Sequence, residues 1–174
     1  QICTIVNELG REFFLNMFKN KQFNNFDAWT CYRLGEAFYN QKKYNSSILF
    51  FKQASDLSPY NLNFLDKYGS NLVMVNRFDE AKEKFQFIIN ENNQFVSAYN
   101  NLSRLYFENY LENQYEGDKN LSNYYCDIAL SINPIYKEAM LNKIDLFIVD
   151  NDFQEAKLLL IKILDLYPES KDAE

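Results

Sequence analysis

Apolar residues return along this chain at helical spacing, and the helical stretches themselves return every 34 residues. Gly35 recurs as Gly69, Tyr44 as Phe78, Ser47 as Ala81 and Phe51 as Phe85. Ala98 to Tyr106 repeats the first half of the unit. Ala129 and Pro134 repeat its end about seven residues late, and Pro134 to Pro168 restores the period. A fixed period of this size marks a helical repeat array, in which one unit cannot bury its apolar face alone. The units are set at 28–61, 62–95, 96–136 and 137–170.

The pattern predicts two helices in each unit. These are 27–40 and 44–57, 61–75 and 78–91, 95–111 and 120–132, 136–149 and 153–167. Gly35, Gly69, Ala81 and Ala156 stand where backbones must approach closely. Phe38, Phe51, Leu72, Phe85, Phe147 and Leu160 are expected to fill the space between helices. Pro59, Pro134 and Pro168 fall at unit ends, where a helix should stop. In the third unit a loop is expected through Gln114–Asp118. A longer connection adds little closure entropy, and Tyr110, Tyr115 and Gly117 also make it a candidate contact loop. Upstream, Ile2, Ile5, Val6, Leu9, Phe13 and Met17 share one helical face over 2–19 and predict an extra helix packing on the first unit. Residues 19–27 form a polar connector.

The residues carry a resemblance. Leu34-Gly35-x-x-Phe38 followed by Tyr44-x-x-Ser47-x-x-x-Phe51-x-x-Ala54 and Pro59 resembles the tetratricopeptide repeat (TPR). So do Tyr68-Gly69-x-x-Leu72 with Phe78-x-x-Ala81-x-x-x-Phe85, and Phe153-x-x-Ala156-x-x-x-Leu160 with Pro168. Cys31 stands at the family's tryptophan position, with Trp29 two residues earlier, and Ile144 replaces the glycine of the fourth unit. The resemblance implies an all-α fold, a right-handed helical-hairpin solenoid of four TPR units with one extra N-terminal helix. Lys171-Asp172-Ala173 echoes Lys137-Glu138-Ala139, so a fifth unit is expected to begin at 171, leaving the apolar edge of the fourth bare.

Composition narrows the chemistry. Histidine is absent, which removes most acid–base, triad and metal-site schemes, and neither an enzyme nor a cofactor is expected. The net charge of −6 and the lack of a basic run disfavour a nucleic-acid surface. No apolar run is long enough to span a membrane. The pairs Asp79/Glu80 and Asp150/Asp152 sit at helix starts and are expected to cap them. Three cysteines are too few and too scattered for a zinc cluster or disulfide scaffold. Cys31 and Cys126 are expected as buried free thiols, which favours a reducing, cytoplasmic setting.

The resemblance also implies a binding face, because first helices in this family line a concave groove. The sixth residues of the units are Arg33, Lys67, Asn101 and Asn142, and the ninth are Glu36, Ser70, Arg104 and Asp145. The candidate groove set is Trp29, Tyr32, Arg33, Lys67, Asn100, Asn101, Arg104 and Asn142. An asparagine amide both donates to and accepts from a peptide backbone, so Asn101 and Asn142 resemble the start of an asparagine ladder. The family's carboxylate clamp for chaperone C-termini does not match. Its positions hold Tyr32, Glu36, Lys67, Ser97 and Asn101, or, one unit later, Asp66, Ser70, Asn101, Glu138 and Asn142. The expected function is a protein-interaction scaffold that binds an extended peptide or helix of a protein partner. The alternative is the non-catalytic TPR region of a larger enzyme, such as a glycosyltransferase or signalling kinase. Self-association through open solenoid ends is a further option.

Overall fold

The structure, a computed structural model, describes residues 26–168. The helix expected over 2–19 and the repeat start at 171 lie outside them. The chain divides after Ile88 into two compact units. The first holds α1 (Ala28–Asn40), α2 (Tyr44–Leu57), α3 (Leu62–Val73) and most of α4 (Phe78–Glu91). The second holds α5 (Val96–Asn113), α6 (Glu116–Ile132), α7 (Lys137–Val149) and α8 (Phe153–Leu166). The fold is all-α, a helical repeat of hairpins. Among the described residues, no helix is long and apolar enough to cross a membrane.

Local chemistry sets the helix ends. Asp27 accepts from the Thr30 amide at 2.7 Å and starts α1. Asn61 accepts from the amides of Asn63 and Phe64 and starts α3. The acid pairs act differently from the expected caps. Asp152 stands at the α8 N-cap without a side-chain cap bond. Glu80 pairs with Arg77 at 2.6 Å, and Asp150 with Lys119 at 2.8 Å. What the acids of the first turns contribute is their charge near the positive helix end. α3 stops at Val73, two residues before the expected end.

The third hairpin corrects the expected loop. In the other three hairpins, one residue at a fixed repeat position takes the left-handed conformation that turns the chain. These are Lys42, Asn76 and Asn151, with φ of 58°, 58° and 62°. In the third that role passes to Gln114, φ 55°, four residues further along. α5 is therefore one turn longer at its end, and α6 begins one turn earlier. Seven extra residues are close to two helical turns, so both helices keep their faces in phase. The added turns are packed together. Tyr110 is buried, Lys119 lies over its ring at 5.6 Å, and Lys119 also pairs with Glu116 at 2.9 Å. Only Gln114 and Tyr115 remain outside helix, so no protruding loop forms.

The hairpins close on small residues. A Cβ at Gly35 would lie 2.7 Å from Phe51, and one at Gly69 would lie 2.6 Å from Phe85. The third hairpin reverses the sizes, with Ser103 at the glycine position and Cys126 at the phenylalanine position. Phe38, Phe51, Leu72 and Phe85 are fully buried as expected. Leu160 is not. It is 45% exposed, because nothing among the described residues covers α8 on that side. Phe147 is half-buried. Between hairpins, the Asn71 amide of α3 donates to the Tyr44 carbonyl at 3.2 Å and to the Ser47 hydroxyl of α2.

Candidate functional site

In the first unit the aromatic part of the candidate set assembles on α1. Trp29 is 59% exposed, yet its ring is held edge-on by Tyr32 at 5.6 Å and by Phe64 of α3 at 5.0 Å. Tyr32 packs in turn on Phe64 at 5.0 Å. Burial raises the Tyr32 phenol to about 12, and the charge of Glu36 and a hydrogen bond to it add to the shift. This tyrosine therefore acts as a hydrogen-bonding, uncharged wall. Arg33 and Lys67 are exposed. Arg33 pairs with Glu36 at 3.1 Å, a surface contact that holds it only loosely.

In the second unit the amides are engaged with one another. Asn142 of α7 donates to the Asn100 side-chain oxygen at 2.8 Å and to the Asn100 carbonyl at 3.4 Å. Asn100 is buried, so it supports Asn142 and presents little surface of its own. The Asn101 amide reaches the Ser97 hydroxyl at 3.4 Å. Arg104 is exposed and pairs with Glu108 at 2.7 Å. Asp145 is exposed as a residue, yet packing desolvates its carboxyl enough to raise its pKa. Arg104 opposes that shift and Glu108 adds to it, so α5 and α7 bring these three charges together.

Sequence reasoning missed two features. One is an open cleft of about 780 Å³ in the first unit, lined by Lys52, Tyr60, Leu65, Tyr68, Glu80 and Phe87. It lies between the second helices, and the exposed Tyr60 and Phe87 were its only signal. The other is the Asn142–Asn100 bond, whose partners stand 42 residues apart.

The thiols follow expectation. Cys31 and Cys126 are free and buried, and burial pushes both up to about 11. Among the described residues, no three His, Cys, Asp or Glu side chains gather to hold a metal ion.

No family profile and no curated protein sequence matches this chain. Solved structures do. A thermophilic TPR protein in Thermus thermophilus aligns over 80% of this chain and 74% of its own, at 18% identity and a TM-score of 0.75. MamA from Desulfovibrio magneticus aligns over 98% of this chain and 93% of its own, at 15% identity and a TM-score of 0.63. The first TPR of Spaghetti, bound to the HSP90 peptide SRMEEVD, aligns over 78% and 94%, at 17% identity and a TM-score of 0.56. Together with the paired helices and the glycine–phenylalanine closures, these likenesses establish that the chain has the tetratricopeptide-repeat fold.

Proposed function

We propose that this chain is a protein-interaction module that binds an extended, acidic segment of a partner through α1 and α3 of its first unit. The observation that carries this reading is Trp29, a large aromatic surface left 59% exposed but held in place by Tyr32 and Phe64. A pre-positioned exposed aromatic loses little freedom on binding and is typical of binding hot spots. The cations support the sign of the ligand. Arg33 and Lys67 are exposed on α1 and α3 of a chain whose net charge is −6. In the second unit, taken by itself, Asn101 supplies an amide for backbone pairing, with Asn142 steadied by Asn100. Glu36, paired with Arg33, dilutes these cations, so affinity is expected in the micromolar range, about −8 kcal/mol.

The likeness to a structure bound to an HSP90 peptide favours a peptide ligand in general. It does not extend to a carboxylate clamp, whose positions hold Tyr32, Glu36, Lys67 and Ser97 here. Trp29 is the single tryptophan of the chain, so its fluorescence reports directly on the site. Titration with a glutamate-rich, unstructured peptide is expected to shift Trp29 emission. A lysine-rich peptide of equal length should do so far less at this site. Arg33→Ala with Lys67→Ala should weaken the response with little change in melting temperature. An emission spectrum indifferent to both peptides, with no binding by anisotropy, would refute the reading.

A further inference from the structure

The 780 Å³ cleft of the first unit takes no part in the extended-segment reading. α2 and the turn after it form one wall, α4 forms the other, and buried Leu65 and Tyr68 of α3 form the floor. The hairpin that follows α1 and α2 is already packed in place, and the cleft is the space that remains.

Repeat geometry alone does not account for it. The corresponding positions of the last two hairpins line a hollow of about 350 Å³, less than half the volume. There Lys143 stands at the position of Tyr68 and Lys162 at that of Phe87. Lys143 is tied to Asp127 and Asn123 at 2.6 Å each and lies over the Phe147 ring, so its side chain is committed within the hollow.

The lining of the larger cleft selects against ions. Lys52 pairs with Asp56 at 2.6 Å on one wall, and Arg77 holds Glu80 through two bonds of 2.6 Å on the other. Glu83 and Lys84 add one charge of each sign. Cations and carboxylates balance, so no net charge draws an ion out of water. The floor offers a neutral donor instead. Tyr68 is 6% exposed, and burial raises its phenol above the ordinary range, so it stays protonated. Arg77 donates to its oxygen, which leaves the O–H for an acceptor. Tyr60, in the α2–α3 turn, is 79% exposed and Phe87 of α4 is 36% exposed. Each wall therefore presents an aromatic ring, and rings are stiff surfaces that lose little freedom on contact. The volume falls within the range of small-molecule sites, about 300–1,000 Å³.

We propose that this cleft binds a small, uncharged, planar aromatic compound carrying a hydrogen-bond acceptor, its ring held by Tyr60 and Phe87 and its acceptor by the Tyr68 hydroxyl. The site shares no residue with Trp29, Tyr32, Arg33 or Lys67 and is independent of the extended-segment reading.

The test titrates prodan, an uncharged naphthalene ketone whose emission reports its surroundings, into the full chain. Three compounds with the same ring then compete for it: 2-acetylnaphthalene, naphthalene, which lacks the acceptor, and 2-naphthoate, which is charged. Prodan emission is expected to move to the blue, and 2-acetylnaphthalene to compete at least about tenfold better than the other two. Tyr68→Phe should weaken prodan about tenfold and erase the preference for the ketone over naphthalene. Tyr60→Ser with Phe87→Lys should weaken all the ring compounds alike, by about fivefold or more. An unchanged circular dichroism spectrum shows each variant folded. Arg33→Ala with Lys67→Ala should leave prodan binding as it is. Emission indifferent to the chain, binding that survives Tyr60→Ser with Phe87→Lys, or equal competition by 2-naphthoate overturns the proposal. So does a blocked glycine–serine peptide with one central phenylalanine that competes at least about tenfold better than 2-acetylnaphthalene, since the occupant is then a side chain of a protein partner.

Discussion

Ser122 donates a hydrogen bond to the Ser103 carbonyl at 2.8 Å, and the two hydroxyls lie 3.3 Å apart in the core between α5 and α6. Ser103 occupies the position of Gly35 and Gly69, and Ser122 that of Ser47 and Ala81. The larger residue on α5 is matched by a smaller one on α6, since Cys126 replaces the phenylalanine of the first two hairpins. Cys126→Phe alone should therefore overpack the third hairpin, costing about 1–3 kcal/mol. Adding Ser103→Gly should recover part of the loss. Urea midpoints of the two single mutants and the double mutant measure the coupling, and strict additivity would show that the two positions do not share space.

The glycines separate into two kinds. A methyl group at Gly69 would meet the buried Phe85 ring at 2.6 Å, which has nowhere to go. Gly69→Ala is expected to lower stability by about 1–3 kcal/mol, and Gly69→Leu by more. At Gly117 the same methyl group would meet Tyr115 at 2.4 Å, but that side chain is exposed and can swing away. Gly117→Ala should be neutral or stabilising by up to about 1 kcal/mol, the helix preference of alanine over glycine. Thermal melts of the two alanine variants distinguish these outcomes.

Asn101 and Asn142 should respond differently to truncation. Asn142→Ala leaves the buried Asn100 side-chain oxygen without the donor it now has at 2.8 Å, a loss of about 1–3 kcal/mol. Asn101→Ala removes only a long, half-buried contact and should melt close to the parent. Circular dichroism melts test this directly. Equal melting temperatures would mean that the Asn142–Asn100 bond contributes nothing.

Alkali should weaken the fold through its thiols. Burial raises Cys31 and Cys126 from 9.0 to about 11 in the folded chain. The stability they lend as neutral groups is complete below pH 9 and is lost as pH rises through 11, because the unfolded chain releases these protons first. Each thiol contributes up to about 3 kcal/mol to this change, two pKa units at about 1.4 kcal/mol each. Tyr32, raised to about 12, acts in the same direction. Urea midpoints at pH 8 and pH 10 should show a clear drop in the parent and a smaller one in Cys126→Ala. A pH-independent midpoint would mean that the thiols titrate freely in the fold.

The sequence by itself determined the helices, their pairing and the closures, because each is set by short-range information repeated in phase. Gly35 with Phe51 and Gly69 with Phe85 lie 16 residues apart, within one hairpin, and 3.6-residue periodicity fixes which face each presents. The same reasoning placed Cys31 and Cys126 in the core. Only the tertiary structure decided how the extra residues of the third unit are used. Composition around Tyr115 reads as a loop, but seven residues make two nearly whole turns, and burial of Tyr110 with the Lys119 pairs favours helix on both sides. Only the tertiary structure, likewise, buried Asn100 and tied Asn142 to it. That choice depends on how closely α5 and α7 approach, which no local pattern encodes. The exposure of Leu160 has the same origin: its own turn of helix resembles that of Phe51, and burial at this position depends on whether another helix covers it.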